Sequence, residues 1–118
     1  MPLEPTIVGL APFVPAGPDL NVALEFYEKK LGFTKVWEGG GYAGMNRGGA
    51  ALILQQFDNR NFAENFMFEV RVQNIELLHE EYKANGVNPG KLEKKSWGNT
   101  EFHVIDPAGV CIHFKKVD

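Results

Sequence analysis

A chain of 118 residues, 44% of them hydrophobic, is long enough for one packed domain, 1–118, and too apolar for a disordered one. A formal net charge of -3 with scattered Lys and Arg offers no basic field to a phosphate backbone, which excludes nucleic acid as an expected partner. The lone Cys111 excludes an intrachain disulfide framework, Met1-Pro2-Leu3-Glu4-Pro5 lacks the features of a leader, and no apolar run approaches a membrane span, so a cytoplasmic protein is expected.

A first strand is expected at about 6–14. Asp19 then caps a helix whose apolar positions Leu20, Ala23, Leu24, Tyr27 and Leu31 follow helical spacing, and Gly32 supplies a left-handed stop. Three short strands follow at about 33–38, 42–47 and 50–56, separated by Gly39-Gly40-Gly41 and Arg47-Gly48-Gly49. Residues 57–64 read as a loop, and a strand at about 65–72 leads to a second helix, capped by Asn74 and closed by Asn85-Gly86. Strands at about 91–96, 101–105 and 110–116 complete the chain, the last two joined by the tight-turn sequence Asp106-Pro107-Ala108-Gly109.

Asn74 lies 55 positions after Asp19, and Gly86 lies 54 after Gly32. The chain therefore reads as two βαβββ units, about 5–56 and 65–116. The expected class is α+β, with the tandem modules forming a curved mixed sheet and helices on its outer face. Strand parity puts Phe66, Phe68, Val70 and Val72 on one face and Asn65, Met67, Glu69 and Arg71 on the other. Val110, Ile112 and Phe114 likewise oppose Cys111, His113 and Lys115. Helices cover the apolar faces; the mixed faces are either solvated or form the wall of a cleft.

The duplicated units, Phe26-Tyr27 followed by Leu31-Gly32-Phe33, and Asp106-Pro107 with Gly109 resemble the vicinal oxygen chelate superfamily of glyoxalases, extradiol dioxygenases and antibiotic-resistance proteins over nearly the whole chain. Tyr42-Ala43-Gly44, Trp97-Gly98 and the run from Asp106 to Phe114 most resemble the bleomycin-resistance proteins within it.

The resemblance implies metal ligands, in the catalytic branches, at positions that fall on Gly9, Ile53, Asn65 and His113. Gly and Ile have no donor and Asn is a weak one, so one imidazole remains where a divalent ion needs three or four ligands. No metal, no cofactor and no catalytic residue is therefore expected. His103 has no spaced companion, His79 is expected to face solvent, and Ser96 and Cys111 lack the partners that activate a nucleophile.

What the resemblance implies instead is stacking of a planar drug on aromatic side chains in a cleft between two subunits, with acidic groups near its cationic tail. The matching aromatic positions are Trp37, Tyr42 and Trp97, with Gly44 and Gly98 beside the latter two. Glu38 and Glu64 fall near the acidic positions, and Gln55, Asn65 and Arg71 can orient a ligand by hydrogen bonds. Arg71 fits a cationic drug only if a carboxylate such as Glu69 pairs with it. The resemblance also implies a homodimer that exchanges its N-terminal strand, with Pro12 at the hinge. The expected function is sequestration of a bleomycin-type glycopeptide antibiotic. The alternatives are a metal-dependent lyase, isomerase or dioxygenase working through His113, or a binder of another planar small molecule.

Overall fold

The computed structural model describes residues 3–118. Met1 and Pro2, the first positions of the expected domain and of the segment read for leader features, lie outside the described residues. In chain order come β1 (Phe13–Pro15), α1 (Leu20–Glu25), β2 (Thr34–Gly39), β3 (Tyr42–Arg47), β4 (Ala50–Gln55) and α2 (Arg60–Glu64). The second half holds β5 (Met67–Val72), α3 (Ile75–Ala84), β6 (Glu93–Lys94), β7 (Thr100–Ile105) and β8 (Cys111–Lys116). Strand order is β1-β4-β3-β2 in one sheet and β5-β8-β7-β6 in the other. The mixed α+β architecture is as expected, and each module contributes a four-stranded mixed sheet.

Both sheets are built alike because the first strand of each module runs parallel to the last, β1 on β4 and β5 on β8, across the intervening helix. Asp19 caps α1 as expected, its Oδ1 accepting from the Asn21 amide at 3.0 Å. The helix then widens into a π-helical turn over Phe26–Lys30 before Gly32, at φ +77°, turns the chain out. Asn74 corrects its expectation: it occupies the cap position of α3 in left-handed conformation, and its side chain makes no capping bond.

The two helices meet at equivalent positions. Tyr27 and Tyr82, one repeat apart, are both buried, as are the apolar faces of β3, β4, β7 and β8 around them. Lys30 Nζ donates to the Asn85 carbonyl at 2.9 Å, and Asn85 Nδ2 returns a bond to the Lys30 carbonyl at 3.1 Å. Tyr82 donates to the Leu31 carbonyl at 3.1 Å, and Arg47 reaches the same carbonyl and the Glu81 carboxylate, each at 2.7 Å.

The Asp106-Pro107-Ala108-Gly109 turn belongs to this joint. Asp106 Oδ1 accepts from the amides of Ala108, Gly109 and Val110, which fixes the turn, while Oδ2 accepts from the Tyr27 hydroxyl at 2.7 Å. Burial pushes the Tyr27 phenol well above its ordinary pKa, and the Asp106 charge adds to the shift. Burial also pushes the Asp106 carboxyl up, against the four hydrogen bonds that favour its ionised form. Motif residues from the two halves of the sequence thus meet as a module-to-module tie.

Four segments depart from the sequence reading. Residues 57–64 are not merely a loop: Asn59 Oδ1 accepts from the Phe62 amide at 3.0 Å and starts α2, of which Glu64 is the last residue. The strand expected from Asn65 begins at Met67, because Asn65 ends that helix and spends its amide on the Asn61 carbonyl at 2.7 Å. The strand expected at 6–14 forms ladder bonds only over Phe13–Pro15. Before it the chain is an extended arm on which Leu3, Ile7, Val8 and Leu10 are 87–99% exposed. The strand expected at 91–96 contracts to Glu93–Lys94.

Candidate functional site

Register assigns the residues that share the non-core face of each sheet. In the first sheet Phe13 and Gly44 flank Ile53, Tyr42 is opposite Gln55, and Asn46 is opposite Ala51. Trp37 joins this face through a bulge. Lys35 pairs with core-facing Met45, and simple alternation would have carried Trp37 to the same side. The register shifts between Lys35 and Trp37, so the tryptophan instead pairs with Gly44 and its indole lies over that glycine.

Trp37, Tyr42, Gly44 and Gln55 are therefore brought together on one wall, with Trp37 46% exposed. Phe13, absent from the sequence-derived set, joins them edge-on to Tyr42 at a ring separation of 5.9 Å. Its signal was its position one residue after Pro12, in parity with Ile53. Glu38 does not join them: it pairs with Ala43 on the opposite face and bonds Lys35 at 2.9 Å.

The second sheet presents Met67, Glu69 and Arg71 beside Cys111, His113 and Lys115, and these beside Ile105, His103 and Glu101. Arg71 Nε lies 3.0 Å from Glu69 Oε2, so the pairing that a cationic ligand requires is present. His113 sits at the centre, its Nε2 3.4 Å from Cys111 Sγ and its ring 5.9 Å from that of His103. Burial raises the Cys111 thiol pKa, which keeps it protonated and poorly nucleophilic.

Trp97 and Gly98 sit apart, in the turn between β6 and β7, where Gly98 has φ +97° and Trp97 is 66% exposed. Glu64 and Asn65 lie on neither wall. Glu64 pairs with Arg60 at 3.2 Å, and a Cβ on Gly109 of the turn would meet its side chain. His79 corrects its expectation: it is half-buried, 3.0 Å from the Gly90 carbonyl and edge-on to Phe102 at 4.9 Å. A cavity of about 390 Å³ at the seam between modules holds the Arg47–Glu81 pair, and Arg71 is the only member of the expected set that lines it.

The positions at which metal ligands were weighed do not fit a metal. Gly9 is on the exposed arm, Ile53 has no donor, and the Asn65 amide is committed elsewhere. Among the described residues no group of three His, Cys, Asp or Glu side chains converges as a coordination set. Among those residues, too, no helix is long and apolar enough to cross a membrane.

The same architecture is found in solved structures of other proteins. The bleomycin-binding protein of Streptomyces verticillus in complex with copper(II)-bleomycin superposes with a TM-score of 0.85 at 27% identity, covering 98% of this chain and 100% of that one. The bleomycin resistance determinant encoded on the transposon Tn5 gives 0.84 at 21% identity, over 95% of this chain and 99% of that one. TnmS3, an antibiotic binding protein from Streptomyces sp. CB03234, gives 0.78 at 16%, over 98% and 100%. No curated protein sequence matches significantly. The family model described as Glyoxalase/Bleomycin resistance protein/Dioxygenase superfamily matches residues 9–114, and the chain belongs to that superfamily.

Proposed function

We propose that this protein sequesters a bleomycin-type glycopeptide antibiotic, without a metal or cofactor and without making or breaking a bond, in a cleft between two copies of the chain in the cytoplasm. The observation that carries the reading is the wall on which a bulge and a glycine hold Trp37 across the sheet beside Tyr42. Exposed, preoriented rings offer a planar heteroaromatic group a large contact area at little cost in side-chain entropy. The likeness to a protein bound to copper(II)-bleomycin supports the choice of ligand. In this reading Trp37 and Tyr42 stack on one wall, Trp97 beside Gly98 adds a ring from the turn between β6 and β7, and Gln55 and Arg71 orient the ligand. Glu38, Glu64 and Asn65 lie off both walls and take no part in it.

The walls are open in one copy, and a second copy is needed to enclose a ligand. The arm supports such a dimer, since exposed Leu3, Ile7, Val8 and Leu10 each gain roughly 1.5–3 kcal/mol on burial. Pro12 stands where the arm leaves the sheet, its carbonyl accepting from the Ile53 amide at 2.8 Å. The free edge of β5 and a groove of about 710 Å³ lined by Leu10, Pro12, Phe68 and Arg71, among others, are suited to an exchanged arm. Fluorescence titration of Trp37 and Trp97 across a panel of antibiotics tests the reading. Saturable quenching by bleomycin-type drugs supports it, and quenching confined to unrelated planar compounds removes the glycopeptide assignment.

A further inference from the structure

Neither wall carries an excess of acids. Facing residues of the first, Phe13, Trp37, Tyr42, Asn46, Ile53 and Gln55, include no ionisable acid or base of the Asp, Glu, Lys or Arg kind. The second carries three acids and four bases at its strand positions and β6 margin, each acid beside a base. Glu69 pairs with Arg71 at 3.0 Å, Glu93 with Lys95 at 2.6 Å, and Glu101 is the register partner of Lys115. Hydrogen bonding to Lys95 holds the Glu93 carboxyl below its ordinary pKa, so it remains ionised and matched. Lys91 adds positive charge near Glu93. The two acids nearest the expected cleft are also matched, Glu38 with Lys35 and Glu64 with Arg60.

A cation brought to such a surface loses hydration and meets no excess of carboxylates, each standing beside a base that repels it. A planar uncharged group loses little hydration and gains ring contact and hydrogen bonds from Gln55 and Asn46. Resting on the antibiotic-binding reading above, we propose that the site selects a planar heteroaromatic group of no net charge and leaves the cationic tail of its ligand in solvent. The planar part is then the whole of the recognised chemistry.

The test is calorimetric titration of the full-length protein with bleomycin and with bleomycin whose cationic tail has been hydrolysed to the free acid, at about 50 and about 500 mM NaCl. The expected result is affinities within about threefold of one another, and a change of less than about threefold with salt. A loss of about tenfold or more on removing the tail or raising the salt overturns the proposal. The variant Lys115→Gln leaves Glu101 unmatched and is expected to raise affinity for the cationic form at low salt while leaving the free acid unchanged. Equal effects on both forms count against the proposal. An isolated neutral bithiazole, followed by tryptophan quenching, separates the two readings: quenching by it without bleomycin binding sinks the glycopeptide assignment and keeps the ligand class. No response to either ligand sinks both.

Discussion

The indole of Trp37 lies across Gly44 at a separation that only a residue without a Cβ allows: a methyl carbon there would stand 2.6 Å from Cδ1 and 2.8 Å from Cε2 of the ring. Gly44→Ala must therefore displace the ring from the wall. The expected outcome is a blue- or red-shifted Trp37 emission and roughly tenfold weaker drug binding, with about 1–3 kcal/mol of stability lost to overpacking. Unchanged emission and affinity would mean that the ring position does not matter to the site.

Trp97 is exposed on a turn stapled by the Gly98 amide on the Lys95 carbonyl at 2.9 Å and the Lys95 amide on the Asn99 carbonyl at 2.7 Å. Its side chain supports nothing in the core. Trp97→Ala is expected to lose most of the affinity for bleomycin while the thermal midpoint stays within a degree or two, since surface substitutions cost within about 0.5 kcal/mol. Calorimetry and thermal melts of the same preparation read both quantities.

The tie between Tyr27 and Asp106 makes a stability prediction independent of any ligand. Among the described residues Tyr27 is the one donor to Asp106 Oδ2, so Tyr27→Phe leaves a buried carboxylate oxygen unsatisfied. A loss of about 1–3 kcal/mol follows, visible as a lower urea midpoint with an unchanged slope.

How much of this was legible in the sequence depended on whether a residue's partner is local. Period-two patterning located β5, β7 and β8, and the glycine stops located both helix ends, because each rests on bonds within a few residues. The Asp106 turn was equally plain, but its second role required Tyr27, 79 positions away. Helix α2 was missed because five residues carry too little periodicity to outweigh their loop-like composition. The same helix took Asn65 out of its expected strand. Trp37 was singled out as a ring position, yet its face depends on a bulge that no alternation pattern reveals. The arm has strand-forming Ile7 and Val8 but no strand partner among the described residues.

Alkaline pH should expose the buried phenols. Burial pushes Tyr82 up to about 12, from an ordinary value of 10.0, and Tyr27 well above that ordinary value. The folded state holds these protons more tightly than the unfolded chain, so their contribution is complete below about pH 10 and is lost as pH rises through 10 toward 12. Urea midpoints measured across this range should fall, with phenolate absorbance rising in step with unfolding. A stability independent of alkaline pH would contradict the burial of both rings.

Replacing Ile7 and Leu10 by Lys charges two apolar positions of the arm that stand 93% and 87% exposed in a single copy. If the arm docks on a second copy, sedimentation at micromolar concentration should give a dimer for the parent protein. The double variant should associate at least about tenfold more weakly. Identical sedimentation of the two proteins would detach the arm from assembly.

The most direct measurement is calorimetric titration of bleomycin into protein stripped of metal with a chelator. The account predicts saturable binding, submicromolar and worth about -8 kcal/mol or more, unaffected by the chelator. Absence of binding, or binding that appears only when a divalent ion is restored, would contradict it.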